Sequence, residues 1–115
     1  MNNNELYCKI YADSDTPRED LIQVVSASIN GTRQLRTVES DSLEADILSN
    51  EDFDPTKRNE KDAFLFYRHY LDVFPKAGAS REEFISSVRI LISKLKSNGY
   101  KAVPACDFEQ ELDQA

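Results

Sequence analysis

Residues 63–74 read AFLFYRHYLDVF, and the fold turns on how that run is placed. In an extended chain Phe64, Phe66, Arg68, Tyr70, Asp72 and Phe74 fall on one side, and Leu65, Tyr67, His69, Leu71 and Val73 on the other. Strand side chains alternate between faces, so a run that is partly apolar on both sides belongs inside a sheet. The spacing predicts one long strand in a central position.

The segments on either side supply the remaining elements. After it, SREE offers Ser80 as a helix cap and Glu83 three residues on, the layout of a capping box. Phe84, Ile85, Val88, Leu91, Ile92 and Leu95 then recur at helical spacing until Asn98-Gly99, which predicts a helix over 81–97. KAVPAC, 101–106, reads as a short strand whose Pro104 cannot donate to a ladder and therefore marks an edge. Before it, Leu6, Cys8, Ile10 and Ala12 alternate with Tyr7, Lys9 and Tyr11 as an amphipathic strand. TPRED then places Thr16 as cap, Pro17 at the first helical position and Glu19 as capping-box partner, with Asn30-Gly31 as the stop of a helix over 17–30. Residues 33–39 and 43–48 read as one interrupted strand or two short ones, broken around Ser40 to Ser42.

The order strand, helix, strand, strand, helix, strand predicts an α+β fold of the ferredoxin-like βαββαβ kind: an antiparallel sheet with two helices packed on one face. Its first and third strands are expected at the centre and its first and last as antiparallel neighbours, which brings Cys8 near Cys106. At 115 residues the chain is expected to form one domain. Its core runs over about 5–106, with an acidic hairpin connection at 49–62 and a tail, 107–115, that ends as a short turn or frayed end.

Charge is unevenly spread. The chain carries 21 acids and 14 bases, a net charge of -7. Glu39, Asp41, Glu44, Asp46, Glu51, Asp52 and Asp54 all lie within residues 37–56, which hold no Lys or Arg, so the rest of the chain is balanced. Such a charge disfavours contact with phosphate backbones and favours a basic partner. No apolar run reaches the roughly 18 residues that cross a bilayer, and MNNNELYCK has no signal-peptide layout, so a cytoplasmic protein with no membrane contact is expected.

Motifs for chemistry are sparse. Cys8 and Cys106 form neither a CxxC pair nor a zinc cluster and are expected as small reduced side chains. His69 is the only histidine, no GxSxG elbow marks a nucleophile, and three glycines leave no phosphate-cradling loop. DFDPTKRNEKD puts Lys57 and Arg58 where a calcium loop needs ligands. KDAFLFYRHY has the aromatics of an RNA-recognition strand, but bulky Leu65 and Tyr67 replace its small positions. No enzyme activity, cofactor or metal is expected, and a recognition surface remains. Tyr7, Tyr11, Tyr67 and His69, joined by Leu35 or Arg36, are expected to line an exposed sheet face.

Over residues 64–112, the aromatic strand with Tyr67, Arg68 and Tyr70, the Asn98-Gly99-Tyr100 turn, and Ala105-Cys106-Asp107-Phe108-Glu109 resemble small bacterial immunity proteins of toxin systems. That resemblance implies a compact acidic domain that binds and blocks a toxin. The expected function is thus a non-enzymatic immunity or antitoxin-like inhibitor of a basic effector such as a nuclease. Its contacts are expected at Glu39, Asp41, Glu44, Asp46, Glu51, Asp52 and Asp54 for electrostatic capture and at Tyr67 and His69 as anchors. The alternative is a regulatory module that binds a small ligand, or a second copy of itself as a homodimer, on its open sheet face.

Overall fold

The computed structural model describes residues 6–58 and 60–112. The expected start of the core at residue 5, residue 59 of the acidic connection and residues 113–115 of the tail lie outside the described residues. The chain forms β1 (Cys8–Asp13), α1 (Arg18–Ser28), β2 (Thr32–Gln34), β3 (Thr37–Glu39), β4 (Leu43–Ser49), β5 (His69–Pro75), α2 (Arg81–Ser97), β6 (Lys101–Ala105) and α3 (Glu109–Leu112). The strands make one antiparallel sheet in the order β2-β3-β4-β5-β1-β6. The α+β class holds, but the described residues form six strands and three α-helices where βαββαβ has four and two.

Two local readings account for the difference. Residues 33–39 fold back on themselves: Leu35, at φ 56°, and Arg36 make a two-residue loop between β2 and β3. That loop holds no Gly, Asn or Asp, the residues that usually signal a positive φ in such turns. Residues 63–66 are not strand either, but a 3₁₀ turn, Ala63–Phe66, so β5 begins only at His69. The reason lies in β1, which ends at Asp13 and leaves no partner beyond the Ala12–His69 pair. The Asp13 carboxylate accepts the Arg68 N–H at 3.0 Å, and Phe64 turns over Tyr11 with ring centroids 5.3 Å apart.

Helix α2 follows its sequence signals, with both halves of the Ser80–Glu83 capping box made. Helix α1 does not. It starts from Pro17, the Thr16 hydroxyl bonds the Tyr100 hydroxyl at 2.9 Å, and Glu19 is held by Arg33 of β2. At its end Asn30 takes the left-handed conformation, while Gly31 is needed for a different reason: a Cβ there would stand 2.6 Å from Val38 Cγ1 and 2.8 Å from the Glu39 oxygen.

Both long helices lie on one face of the sheet. Leu21, Ile22 and Val25 of α1 and the Phe84–Leu95 stripe of α2 pack onto Cys8, Ile10, Ala12, Val38, Leu43, Ala45, Ile47, Leu71 and Val73. The expected frayed tail instead closes this core: Phe108 and Leu112 are buried, with the Phe108 ring edge-on to Phe84 at 5.9 Å, because α3 carries its apolar side against α2. Cys106, one step beyond the Lys9–Ala105 pair, comes beside Cys8, and both thiols are free. Burial raises both above the usual thiol range, Cys8 further through its Cys106 neighbour. Among the described residues no helix is long and apolar enough to cross a membrane.

Candidate protein interface

Among the described residues no α-helix packs on the second face of the sheet, and the 3₁₀ turn Ala63–Phe66 lies over its Tyr11 end. Its side chains can be read in rows across the strands. One row runs Thr37, Asp46, Asp72, Lys9, Ala105; a second runs Glu39, Glu44, Phe74; a third runs Leu48, Tyr70, Tyr11, Val103. Tyr7, just before β1, lies against Phe74 with ring centroids 5.1 Å apart, and its hydroxyl donates to Asp72. The result is an aromatic strip along β1 and β5 beside a carboxylate field on β3, β4 and β5. Phe74 stays 41% exposed.

The carboxylates interact. Glu39 and Glu44 face each other directly across β3 and β4, and two carboxylates at that spacing do not both ionise freely. The Lys76 ammonium, 2.8 Å from Glu39 Oε1, fixes the charge there and holds Glu39 below the usual carboxylate range. Its hydrogen bond with Glu39, followed by partial burial, raises Glu44. Thr37 donates to Asp46. Burial, then the bond to Asp72, raises the Tyr7 hydroxyl, so it stays a donor. Lys9 and Lys76 stand among Glu39, Glu44, Asp46 and Asp72, and Arg18, Arg33 and Arg36 line one cavity with Glu39, Glu44 and Asp46, Arg33 being held by Glu19, so the carboxylates of this face have cations close by.

Of the residues expected to bind a partner, the fold gathers only Glu39, Glu44 and Asp46. Asp41 lies in the turn before β4, near Ser28, Asn30 and Ser87 on the helix side. Glu51 and Asp52 sit in an exposed turn past the end of β4. Asp54 is spent on local structure, accepting from the Thr56 amide at 2.9 Å to cap the 3₁₀ turn Pro55–Lys57. The 49–62 connection is also tied back to the domain, since Arg58 reaches Asp13 and Asp15 at 3.2 Å each.

The two aromatic anchors need correcting. His69 is 3% exposed and faces the helices opposite Ala12, because β5 shares the parity of Leu71 and Val73 with the core. Its Nε2–H points to the Thr16 carbonyl at 3.4 Å, and its buried Nδ1 meets no partner among the described residues. Burial first of all lowers its pKa, which keeps it neutral. Tyr67 follows the 3₁₀ turn outside the sheet, half-buried near Asp13, and burial raises its hydroxyl. The face instead carries Tyr70, Asp72, Phe74 and Lys9. Their signal was present in the sequence: they share the two-residue period of Tyr7 and Tyr11 once β1 and β5 are paired.

Among the described residues no group of three or more His, Cys, Asp or Glu is placed to hold a metal ion. No protein-family model, curated protein or solved structure matches the chain.

Proposed function

We propose that this is a non-enzymatic binding protein that captures a basic protein partner on the sheet face turned away from α1 and α2. One observation carries this reading: Glu39, Glu44, Asp46 and Asp72 stand beside Tyr7, Tyr11, Tyr70 and Phe74 on the sheet face turned away from α1 and α2. Tyrosine and phenylalanine supply rigid area that is favourable to bury, and carboxylates steer encounter and pair with Lys or Arg. A field of this sign can raise an association rate about 10-fold or more at low salt, whereas an exposed ion pair adds only about 0–1 kcal/mol to folding. The charge is therefore better spent on association than on stability.

The resemblance over residues 64–112 supports an immunity or antitoxin-like role in the cytoplasm, with a basic toxin effector, such as a nuclease, as the partner whose active site is covered. The fold supports a finer reading too: β4-β5-β1-β6 with α1 and α2 form a ferredoxin-like unit to which the β2–β3 hairpin and α3 are additions. A second reading, self-association through the same face, is favoured by Phe74 and the Leu48–Tyr70–Tyr11–Val103 row. It requires a dimer indifferent to salt, since apolar stacking is little screened.

The test is capture from a lysate of the source organism with three baits: the native chain, the face variant Glu44→Lys/Asp46→Lys/Asp72→Lys, and the loop variant Glu51→Lys/Asp52→Lys. The reading requires a basic protein held by the native and loop baits and lost from a folded face bait. Equal retention by all three refutes it.

A further inference from the structure

Lys9 occupies an unusual place on this face. Its ammonium lies 4.3 Å from the Tyr70 ring centre and 4.9 Å from that of Tyr11, with Asp72 directly across the β1–β5 ladder. The two rings come from neighbouring strands, 6.4 Å apart and inclined at 50°, so they form an open V with a cation between them. Tyr11 is braced edge-on by Phe64, and Asp72 is engaged by the Tyr7 hydroxyl. One wall of the V, Tyr11, thus has a support besides Lys9, and the other, Tyr70, packs against Tyr11. The lysine reaches the V on a flexible four-carbon stem that leaves the strand two residues from Tyr11, and such a stem swings out at little cost.

We propose that the Tyr11–Tyr70 cleft is a subsite for a lysine side chain, that Lys9 fills it in the free protein, and that a lysine of the basic partner displaces Lys9 on binding. The inference rests on the proposed function and deepens it by naming what the face recognises. The free chain already displays an ammonium seated over two ring faces, which is the geometry in which a cation is attracted by aromatic quadrupoles. The neighbouring carboxylates Asp46 and Asp72 give an incoming chain the same complementary charge that Lys9 meets. The displaced Lys9 ammonium moves to solvent, so no charge is buried unpaired. A resident side chain that competes with the ligand lowers apparent affinity, and its removal should raise it.

The probe is a dye-labelled octalysine peptide, titrated at low salt against the full chain and its variants by fluorescence anisotropy. Lys9→Met should tighten binding about 5- to 30-fold, the range expected from two ring contacts regained by the peptide. Lys76→Met removes the same charge from the same face without touching the rings, and should change binding about two-fold or less, as for a screened surface charge. Adding Tyr70→Leu to Lys9→Met should cancel the gain, with the melting curve checking that this double variant is folded. Equal tightening by Lys9→Met and Lys76→Met reduces the effect to net charge and overturns the subsite, as does no change in Lys9→Met. Binding that is lost in Glu44→Gln/Asp46→Asn but indifferent to Lys9→Met keeps the acidic face and discards the lysine subsite. No binding by any of these proteins overturns both.

Discussion

Leu35 should be replaceable by glycine with a gain in stability. It is the first of two residues in the β2–β3 loop, sits at φ 56° and is 85% exposed. The left-handed conformation costs an L-residue about 1–2 kcal/mol, and a Leu this exposed recovers almost nothing from burial. Glycine adopts the angle freely but loses about 0.5–1 kcal/mol more chain entropy on folding. The difference favours Leu35→Gly by about 0.5–1 kcal/mol, or about 2–6 °C in melting temperature. The loop's other support survives, because Arg33 Nε donates to the backbone oxygen of residue 35 at 2.7 Å. Leu35→Ala separates the causes: it removes the exposed side chain and keeps the strained angle, so its melting temperature should stay close to native. Thermal and urea denaturation followed by circular dichroism read both variants. A lower melting temperature for Leu35→Gly, or an equal gain from Leu35→Ala, refutes the argument from backbone strain.

Two further outcomes follow from the buried polar groups. Asp13, 4% exposed, accepts the Arg68 amide at 3.0 Å and Arg58 Nε at 3.2 Å, so Asp13→Ala strands a donor at the start of β5. It should cost about 2–3 kcal/mol in urea unfolding, and a loss too small to measure contradicts that role. His69 makes stability depend on pH: its folded pKa lies below 6.5, so between the two values the unfolded chain binds more protons and stability rises with pH. The contribution is complete above the unfolded value and is lost as pH falls toward the folded one, where the proton must enter on the buried Nδ1 among Arg68, Arg18 and Asp13. His69→Gln should flatten the pH profile of the urea midpoint across that window, and an unchanged profile assigns the dependence to other groups.

What the sequence disclosed follows from how local each signal was. The second helix was legible to the residue because Ser80, Glu83 and the apolar stripe are a self-contained pattern, and the edge position of β6 follows from Pro104 alone. The first helix was placed well but its cap was not, since Thr16 and Glu19 found partners in Tyr100 and Arg33, far away in the chain. The β2–β3 hairpin was hidden by a leucine in a glycine's position. The 3₁₀ turn at Ala63–Phe66 was hidden by an alternation that the end of β1 leaves without a neighbour.

The proposed binding face was half legible for the same reason. Charge is additive along the chain, so the acidic segment was plain, but register decides which acids converge. Pairing β3, β4 and β5 keeps Glu39, Glu44 and Asp46, adds Asp72, and sends Asp41, Glu51, Asp52 and Asp54 elsewhere. Parity decides the aromatics: the face that carries Leu71 and Val73 inward takes His69 with it and turns Tyr70 outward.

Whether a basic protein binds the sheet face turned away from α1 and α2 can be read from the footprint of the captured partner on the ¹⁵N-labelled chain, mapped by amide chemical shifts. The largest changes should cluster at Lys9, Tyr11, Glu44, Asp46, Tyr70, Asp72 and Phe74 and shrink when the salt is raised to about 0.5 M, where the Debye length falls to about 4 Å. Changes concentrated on α1 and α2, or in the Glu51–Asp54 turn with the sheet face silent, would contradict it.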